Sequence, residues 1–178
     1  NQLNPHMLFN SLNTLQSLVR ENQNKAQDYI QELSRVLRYT LQSNDSQSVS
    51  LREEMDFASA YIFLLKMRFE NNLQFDIQIN KSFETYHLPP MAIQVLIENA
   101  VKHNEISNRK PLTIHISTDI EGFLAVSNTI QPKWTATPGT GIGLVNLAKR
   151  YRLLFKQDIQ ITEDKEFTVR IPLIYQNL

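Results

Sequence analysis

The chain has 178 residues, enough for one sizeable hydrophobic core with a small appendage, and its 42% hydrophobic and 20% charged residues are typical of a folded globular protein. Its 18 basic and 18 acidic residues cancel, so the bulk charge gives no indication of a surface for nucleic acid or anionic membrane. The absence of cysteine excludes disulfides and thiolate metal sites, and the longest apolar stretches are too short to span a membrane.

A helical hairpin is predicted at the N-terminus, because apolar residues recur at steps of three and four along residues 2–20 and again after a polar turn at 21–24. The first helix carries this stripe at Leu8, Leu12, Leu15 and Val19. The second carries it at Ala26, Ile30, Leu33, Leu37 and Leu41. Two such helices bury little surface alone, so we expect the hairpin to pair with a second copy in a four-helix bundle.

A polar, serine-rich linker at residues 43–48 marks a domain boundary near residue 48. The elements predicted beyond it are helices over 50–69, 91–101 and 142–155, and strands around 73–79, 112–116, 124–126, 158–162 and 167–172. We expect a capping box between Ser50 and Glu53, Ile77 facing inward from its strand, and Tyr151 on the solvated side of the last helix. These five strands and three helices come in mixed order without regular βαβ alternation. The pattern therefore favours an α+β chain whose second part is a two-layer α/β sandwich rather than a doubly wound sheet.

The polar end of the buried helix over 91–101 is the first candidate site. Glu98, Asn99, Lys102 and His103 follow one another there at helical spacing. One interpretation is that an apolar helix has simply reached solvent. The other is that carboxylate and carboxamide oxygens bind Mg²⁺ while the lysine neutralises phosphate. For His103, contact with a phosphate and capping of the helix carbonyls are both open.

A glycine cluster is the second candidate site. Gly139, Gly141 and Gly143, three of the four glycines in the chain, directly precede the helix predicted over 142–155. Backbone N–H groups at such a helix start bind phosphate oxygens, although a plain structural turn has the same composition.

Three motifs carry a family resemblance. Residues 98–103 read Glu-Asn-Ala-Val-Lys-His and resemble the N box of the GHKL ATPase superfamily, and residues 139–144 resemble its G2 box. Residues 2–13 are similar to the phospho-acceptor segment of the LytS-like sensor histidine kinases, and residues 51–69 resemble their connecting helix. The resemblance covers nearly the whole chain. It implies a dimerisation and phospho-acceptor hairpin over residues 1–48 and an ATP-binding catalytic domain over 49–178.

The resemblance also implies roles for the N-box residues and the glycine turn. Mg-ATP would bind between them, with Asn99 on the metal, Glu98 orienting a metal-bound water and Lys102 near the phosphates. The remaining nucleotide-binding residues would be His103, Asn128, Gly139, Gly141, Gly143 and Leu144.

His6 is the implied phospho-acceptor. A neutral imidazole is nucleophilic at neutral pH, and Asn10 lies one turn after His6 on the same helix face, where it can hold the ring or an attacking water. Alone, His6 would be an ordinary exposed histidine, but the N and G2 boxes reverse that interpretation. The phosphoryl group would pass to an aspartate of a response regulator, in a homodimeric cytoplasmic domain of an inner-membrane sensor protein that does not itself bind nucleic acid.

One departure from the family concerns adenine recognition. Asn128 stands where related ATPases carry an aspartate, and the glycine turn that usually follows is missing. A carboxamide oxygen still accepts a hydrogen bond from the adenine amine, but this bond is weaker than one to a charged carboxylate. Residues 130–138, with Trp134, are the predicted lid. Two rival functions are a degenerate kinase acting as a dimeric scaffold without ATP turnover, and a GHKL ATPase that forms no phosphohistidine.

Overall fold

The computed structural model describes residues 5–134 and 141–176. It begins with the predicted hairpin, formed by α1 (Pro5–Glu21) and α2 (Gln23–Gln42). Asn22 is the N-cap of α2, and its side chain accepts a hydrogen bond from the backbone N–H of Lys25 at 3.1 Å.

The face on which the hairpin packs differs from the predicted stripe. Its buried residues are Ser11, Leu18, Ala26, Tyr29, Val36 and Thr40. Large apolar side chains of the two helices that stay exposed are Phe9, Leu12, Val19, Ile30 and Leu41. The hairpin therefore has two apolar faces, one against α3 and one directed to solvent. Leu12, Val19, Ile30 and Leu41 of the predicted stripe thus lie on the solvent-directed face, the face expected to meet a second copy of the hairpin.

A tight connection joins the hairpin to the rest of the chain. A 3₁₀ turn, Ser43–Asp45, leads to β1 (Val49–Ser50), which pairs antiparallel with β3 (His87–Leu88). The long helix α3 (Leu51–Phe69) then begins with the predicted capping box between Ser50 and Glu53.

The main sheet has five strands in the order β2-β4-β5-β7-β6. Their bounds are β2 Leu73–Gln78, β4 Leu112–Thr118, β5 Phe123–Thr129, β6 Gln160–Glu163 and β7 Glu166–Pro172. Only β2 and β4 are parallel. Burial alternates along β4 and β5, so the helices cover one face of the sheet. Ile77 was predicted to face inward, but it is largely exposed because β2 is an edge strand.

Two helices complete the helical layer. α4 (Ala92–His103) begins one residue later than predicted, after Met91 in the left-handed conformation with φ 68°. α5 (Ile142–Phe155) has the predicted bounds. Tyr151 was predicted on its solvated side, but it is fully buried and its hydroxyl donates to the carbonyl of Pro172 at 2.9 Å. In the part of the chain that the structure describes, every helix is too short or too polar to cross a bilayer.

Candidate active site

A cleft of about 670 Å³ lies where the hairpin meets α3 and α4. α1 contributes His6 and Asn10 to its lining, and α4 contributes Glu98, Lys102 and His103. Residues about 90 positions apart in sequence thus line the same cleft. The structure brings together the candidate acceptor and three of the four candidate residues at the end of α4.

His6 is held from its own helix. The Asn10 side-chain amide nitrogen lies 3.3 Å from Nδ1 of His6, at the one-turn spacing expected from the sequence. An amide nitrogen donates, so in this arrangement Nδ1 accepts from Asn10 and a neutral ring carries its proton on Nε2. Turning the amide over would present its oxygen to a proton on Nδ1 and leave Nε2 unprotonated. Asn10 is therefore placed to select the tautomer of the ring.

Asn99 lies on a different face of α4 from the cleft. Successive helical residues are about 100° apart, so Asn99 points away from Glu98 and shares a face with Val95, one turn earlier. That face approaches α5, because a Cβ added to Gly143 would lie 3.3 Å from Cγ1 of Val95. Asn99 therefore lies on the α5 side of α4, whereas Glu98 and Lys102 line the cleft with His6.

The start of α5 has the backbone that the glycine cluster predicts. Gly141 is the residue before the helix, with φ 61° in the left-handed region where L side chains are strained. Gly143 lies in the first turn, and Leu144 is half-buried. Gly139 lies outside the described residues.

Asn128 is buried within the sheet rather than in the cleft. It is 2% exposed, and its amide nitrogen donates to the carbonyl of Thr129 at 2.9 Å. Within residues 5–134 and 141–176, its side-chain oxygen accepts no hydrogen bond. Trp134 is fully exposed, so in this conformation it covers no site, and residues 135–138 of the predicted lid lie outside the described range.

Positive charge gathers around the cleft. Two further cations line it, Arg68 from the last turn of α3 and Lys133 after β5. Partial burial lowers the pKa of His103, and the charges of Lys102 and Lys133 lower it further. Burial likewise lowers the pKa of Lys133, and Arg68 adds to the effect. These groups are close enough to repel one another, and such an arrangement favours a bound anion.

A buried carboxylate that the sequence analysis missed connects the hairpin to α4. Glu54 of α3 is fully buried and accepts hydrogen bonds from the Tyr39 hydroxyl at 2.5 Å and from the backbone N–H groups of Met91 at 3.1 Å and Ile93 at 3.3 Å. Burial raises its pKa, and the donors and the charge of Arg150 act in the opposite direction. Glu54 thereby fixes the start of α4 relative to α2.

The oxygen-bearing side chains at the end of α4 suit a metal ion that binds together with the nucleotide phosphates. Within the described ranges no three acidic, histidine or cysteine side chains form a group able to hold an ion. Glu98 and Asn99 supply only two oxygen-bearing side chains. This fits Mg²⁺, which proteins bind through one or two side chains together with substrate phosphates and water.

Comparison with known proteins places these residues in context. A family model for histidine kinases matches residues 1–73. The chain is 35% identical over 193 aligned residues to the sensor protein LytS of Streptococcus mutans, covering 98% of this chain and 33% of the relative. It is 31% identical over 180 residues to the sensor histidine kinase BtsS of Escherichia coli, covering 96% of this chain and 32% of the relative. The chain therefore spans about one third of the length of these curated relatives.

Among solved structures, the fold resembles a nucleotide-free form of the catalytic domain of the histidine kinase ThkA. The TM-score is 0.50 at 18% identity, over 72% of this chain and 99% of that one. This likeness confirms the predicted α+β architecture.

Proposed function

Because this chain belongs to the LytS-like sensor histidine kinases and spans about one third of their length, we propose that it is their kinase core, which transfers the γ-phosphoryl group of Mg-ATP to His6. The observation that carries the proposal is the shared cleft, lined by His6 on one side and by Glu98 and Lys102 on the other. We further propose that residues 1–48 act as the dimerisation and phospho-acceptor hairpin and residues 49–178 as the catalytic domain.

In the transfer, His6 is the nucleophile. The lone pair of its unprotonated ring nitrogen forms the bond to phosphorus, while the bond from phosphorus to the bridging oxygen breaks and leaves its electron pair on ADP. With its amide turned over from the observed orientation, Asn10 would accept the proton kept on Nδ1 and leave the unprotonated Nε2 to attack. Lys102, at the cleft wall, offsets negative charge on the phosphoryl oxygens.

Nucleotide binding is assigned to the space between α4 and the start of α5. Asn99 on the α5-facing side of α4 would hold Mg²⁺, which neutralises phosphate charge, and Glu98 would orient a metal-bound water. The glycine turn with Gly141, Gly143 and Leu144 would bind phosphates, and His103 would contact them from α4. Asn128 retains a side-chain oxygen able to accept a hydrogen bond from adenine. Gly139, outside the described residues, stays a predicted phosphate-binding residue.

Dimerisation is supported by the outward face of the hairpin. Phe9, Leu12, Val19, Ile30 and Leu41 are each 47 to 66% exposed. A contiguous apolar face of this kind on two helices is typical of a subunit interface. Sedimentation should show a dimer for the wild-type chain and a shift to monomer for Leu12→Asp.

The partner of the phosphorylated kinase would be the receiver domain of a response regulator, whose aspartate takes the group from His6. ATP and the receiver domains of response regulators are both found in the cytoplasm, so we place this part of the protein on the cytoplasmic side of the membrane. The stimulus would reach it through α1.

The deciding experiment is incorporation of γ-labelled phosphate from Mg-ATP. We expect acid-labile label on the wild-type chain and on the control His115→Ala, whose half-buried ring lies on β4 and contacts Asp76. We expect none on His6→Ala. Label that persists in His6→Ala would refute the acceptor assignment. A dimeric wild-type chain that binds ATP but takes up no label would instead support the rival function of a degenerate kinase that acts as a scaffold.

A further inference from the structure

The cleft beside His6 holds more positive charge than the N box supplies. Arg68 and Lys133 line it together with Lys102, opposite the single carboxylate of Glu98. Resting on the proposed function, we propose that Arg68 and Lys133 bind the phosphoryl group during its passage to His6. Neither residue belongs to the N box or to the glycine turn.

The placement of Arg68 follows from the pitch of α3. The cleft-facing residues of this helix are Tyr61, Leu64, Leu65, Arg68 and Phe69, which recur at steps of three, one, three and one on one side. The Arg68 guanidinium lies 4.6 Å from the centre of the Phe69 ring. This cation–π contact holds one face of the group and leaves its edge of N–H donors available, and that edge matches the oxygens of a phosphoryl group.

One carboxylate, Glu98, offsets only part of the positive charge of the cleft. Inside residues 5–134 and 141–176, Arg68, Lys102 and Lys133 form no ion pair with a carboxylate. Lys110 and Arg152, which lie elsewhere on the surface, do form such pairs. The lowered pKa of Lys133 reflects burial together with the proximity of Arg68. Three cations with one carboxylate among them leave the cleft with a net positive charge, which a bound dianionic group would offset.

The position of these two cations assigns them to the transfer rather than to the resting nucleotide. Asn99 and the glycine turn lie on the other face of α4, whereas Arg68 and Lys133 share the cleft with His6. Burial raises the pKa of the Tyr61 hydroxyl, and the charge of Glu98 raises it further while that of Arg68 lowers it, so Arg68 and Glu98 both lie near this hydroxyl. In a loose phosphoryl-transfer transition state the charge lies on the equatorial oxygens, where such donors stabilise it most.

The test measures two quantities on the 178-residue chain. One is the single-turnover rate at which saturating Mg-ATP labels His6, and the other is the Kd for ATP. We expect Arg68→Gln to slow labelling by about 10- to 100-fold and to leave the Kd for ATP within about threefold, as expected for an interaction made mainly in the transition state. Arg68→Lys, which keeps the charge, should recover part of the rate. Lys66→Gln is the matched control, because Lys66 is exposed on the same turn of α3 outside the cleft lining, and its rate should stay within about twofold.

Lys133→Gln provides an independent variant on another segment, so the proposal does not depend on the folding of one mutant. Unchanged rates in both Arg68→Gln and Lys133→Gln, with a labelled wild type, would overturn this inference alone. Equal losses in Arg68→Lys and Arg68→Gln, with a lowered melting temperature, would show that Arg68 is structural. A wild-type chain that binds ATP without forming acid-labile label would overturn the proposed function and this inference with it.

Discussion

Replacing Glu54 by alanine should destabilise the protein more than any substitution of a single donor around it. The side chain is fully buried and receives three hydrogen bonds, from the Tyr39 hydroxyl and from the backbone N–H groups of Met91 and Ile93. Glu54→Ala leaves all three donors without an acceptor. Each unsatisfied buried donor costs about 1–3 kcal/mol, and partial entry of water limits the sum, so we expect a loss of about 3–5 kcal/mol.

Two conservative variants divide this loss. Tyr39→Phe removes one donor and keeps the 4.4 Å ring stack on Phe57, so it should cost about 1 kcal/mol. Glu54→Gln keeps one oxygen for Tyr39 and Met91 but turns an amide group toward the N–H of Ile93, so an intermediate loss of about 1–3 kcal/mol is expected.

Urea unfolding followed by circular dichroism measures these differences, with Asp56→Ala, an exposed acid on the same helix, as the control within about 0.5 kcal/mol of wild type. The reasoning fails if Glu54→Ala costs less than about 1 kcal/mol. It also fails if Tyr39→Phe costs as much, because the backbone donors would then contribute nothing.

Three further predictions concern single groups. Lys102→Gln should raise the pKa of His103 in an NMR titration, because burial and two lysines hold it below its ordinary value and one of them is removed; a fall would contradict the assigned cause. Burial raises the pKa of Asp119, but hydrogen bonds from Arg170 and two backbone N–H groups outweigh it and leave the pKa lowered. Asp119→Asn should therefore cost about 1 kcal/mol at pH 7. The cost should shrink as the pH falls below the unfolded pKa of about 3.9 and vanish only below the lowered pKa of the folded protein, unlike a pH-independent packing loss. Gly141→Ala should lower stability by about 1 kcal/mol in thermal unfolding, because its φ of 61° strains any L side chain; an unchanged midpoint would contradict this.

Local patterns predicted the elements of this fold well. α5 has the predicted bounds, and the apolar residues that alternate along β4 and β5 are buried as expected. Its Tyr151 was misplaced because a tyrosine and an arginine side by side resemble a solvated face. The hydroxyl finds its partner only in Pro172, 21 residues away, and no local pattern contains that contact.

Faces shared between distant elements were not predictable from periodicity. The stripe along α1 shows which residues are apolar, but a helix with several apolar positions can turn either side to a neighbour. Ser11 and Leu18 are buried, while Leu12 and Val19 remain exposed. Periodicity therefore identified the hairpin and left open which side meets α3.

Charged residues at the site were the main omission. Glu54 precedes Phe57 by three residues and Tyr61 by seven, so its place in the buried row of α3 was visible in the sequence. A lone acid in such a row is a signal for a buried acceptor. Arg68 gave no comparable signal, because its role depends on a cleft formed with α1 and α4.

The strand order has a consequence for synthesis of the chain. β7, the last of the described strands in chain order, lies inside the sheet between β5 and β6, and β5 gains its second partner from residues 166–172. During synthesis, the helical hairpin can form before β7 has been made, when β5 still lacks its second neighbouring strand. Nascent or C-terminally clipped chains should therefore expose an unfinished sheet edge, the kind of surface that aggregates or recruits chaperones. Proteolytic clipping near residue 165 would remove β7 and with it the link between β5 and β6.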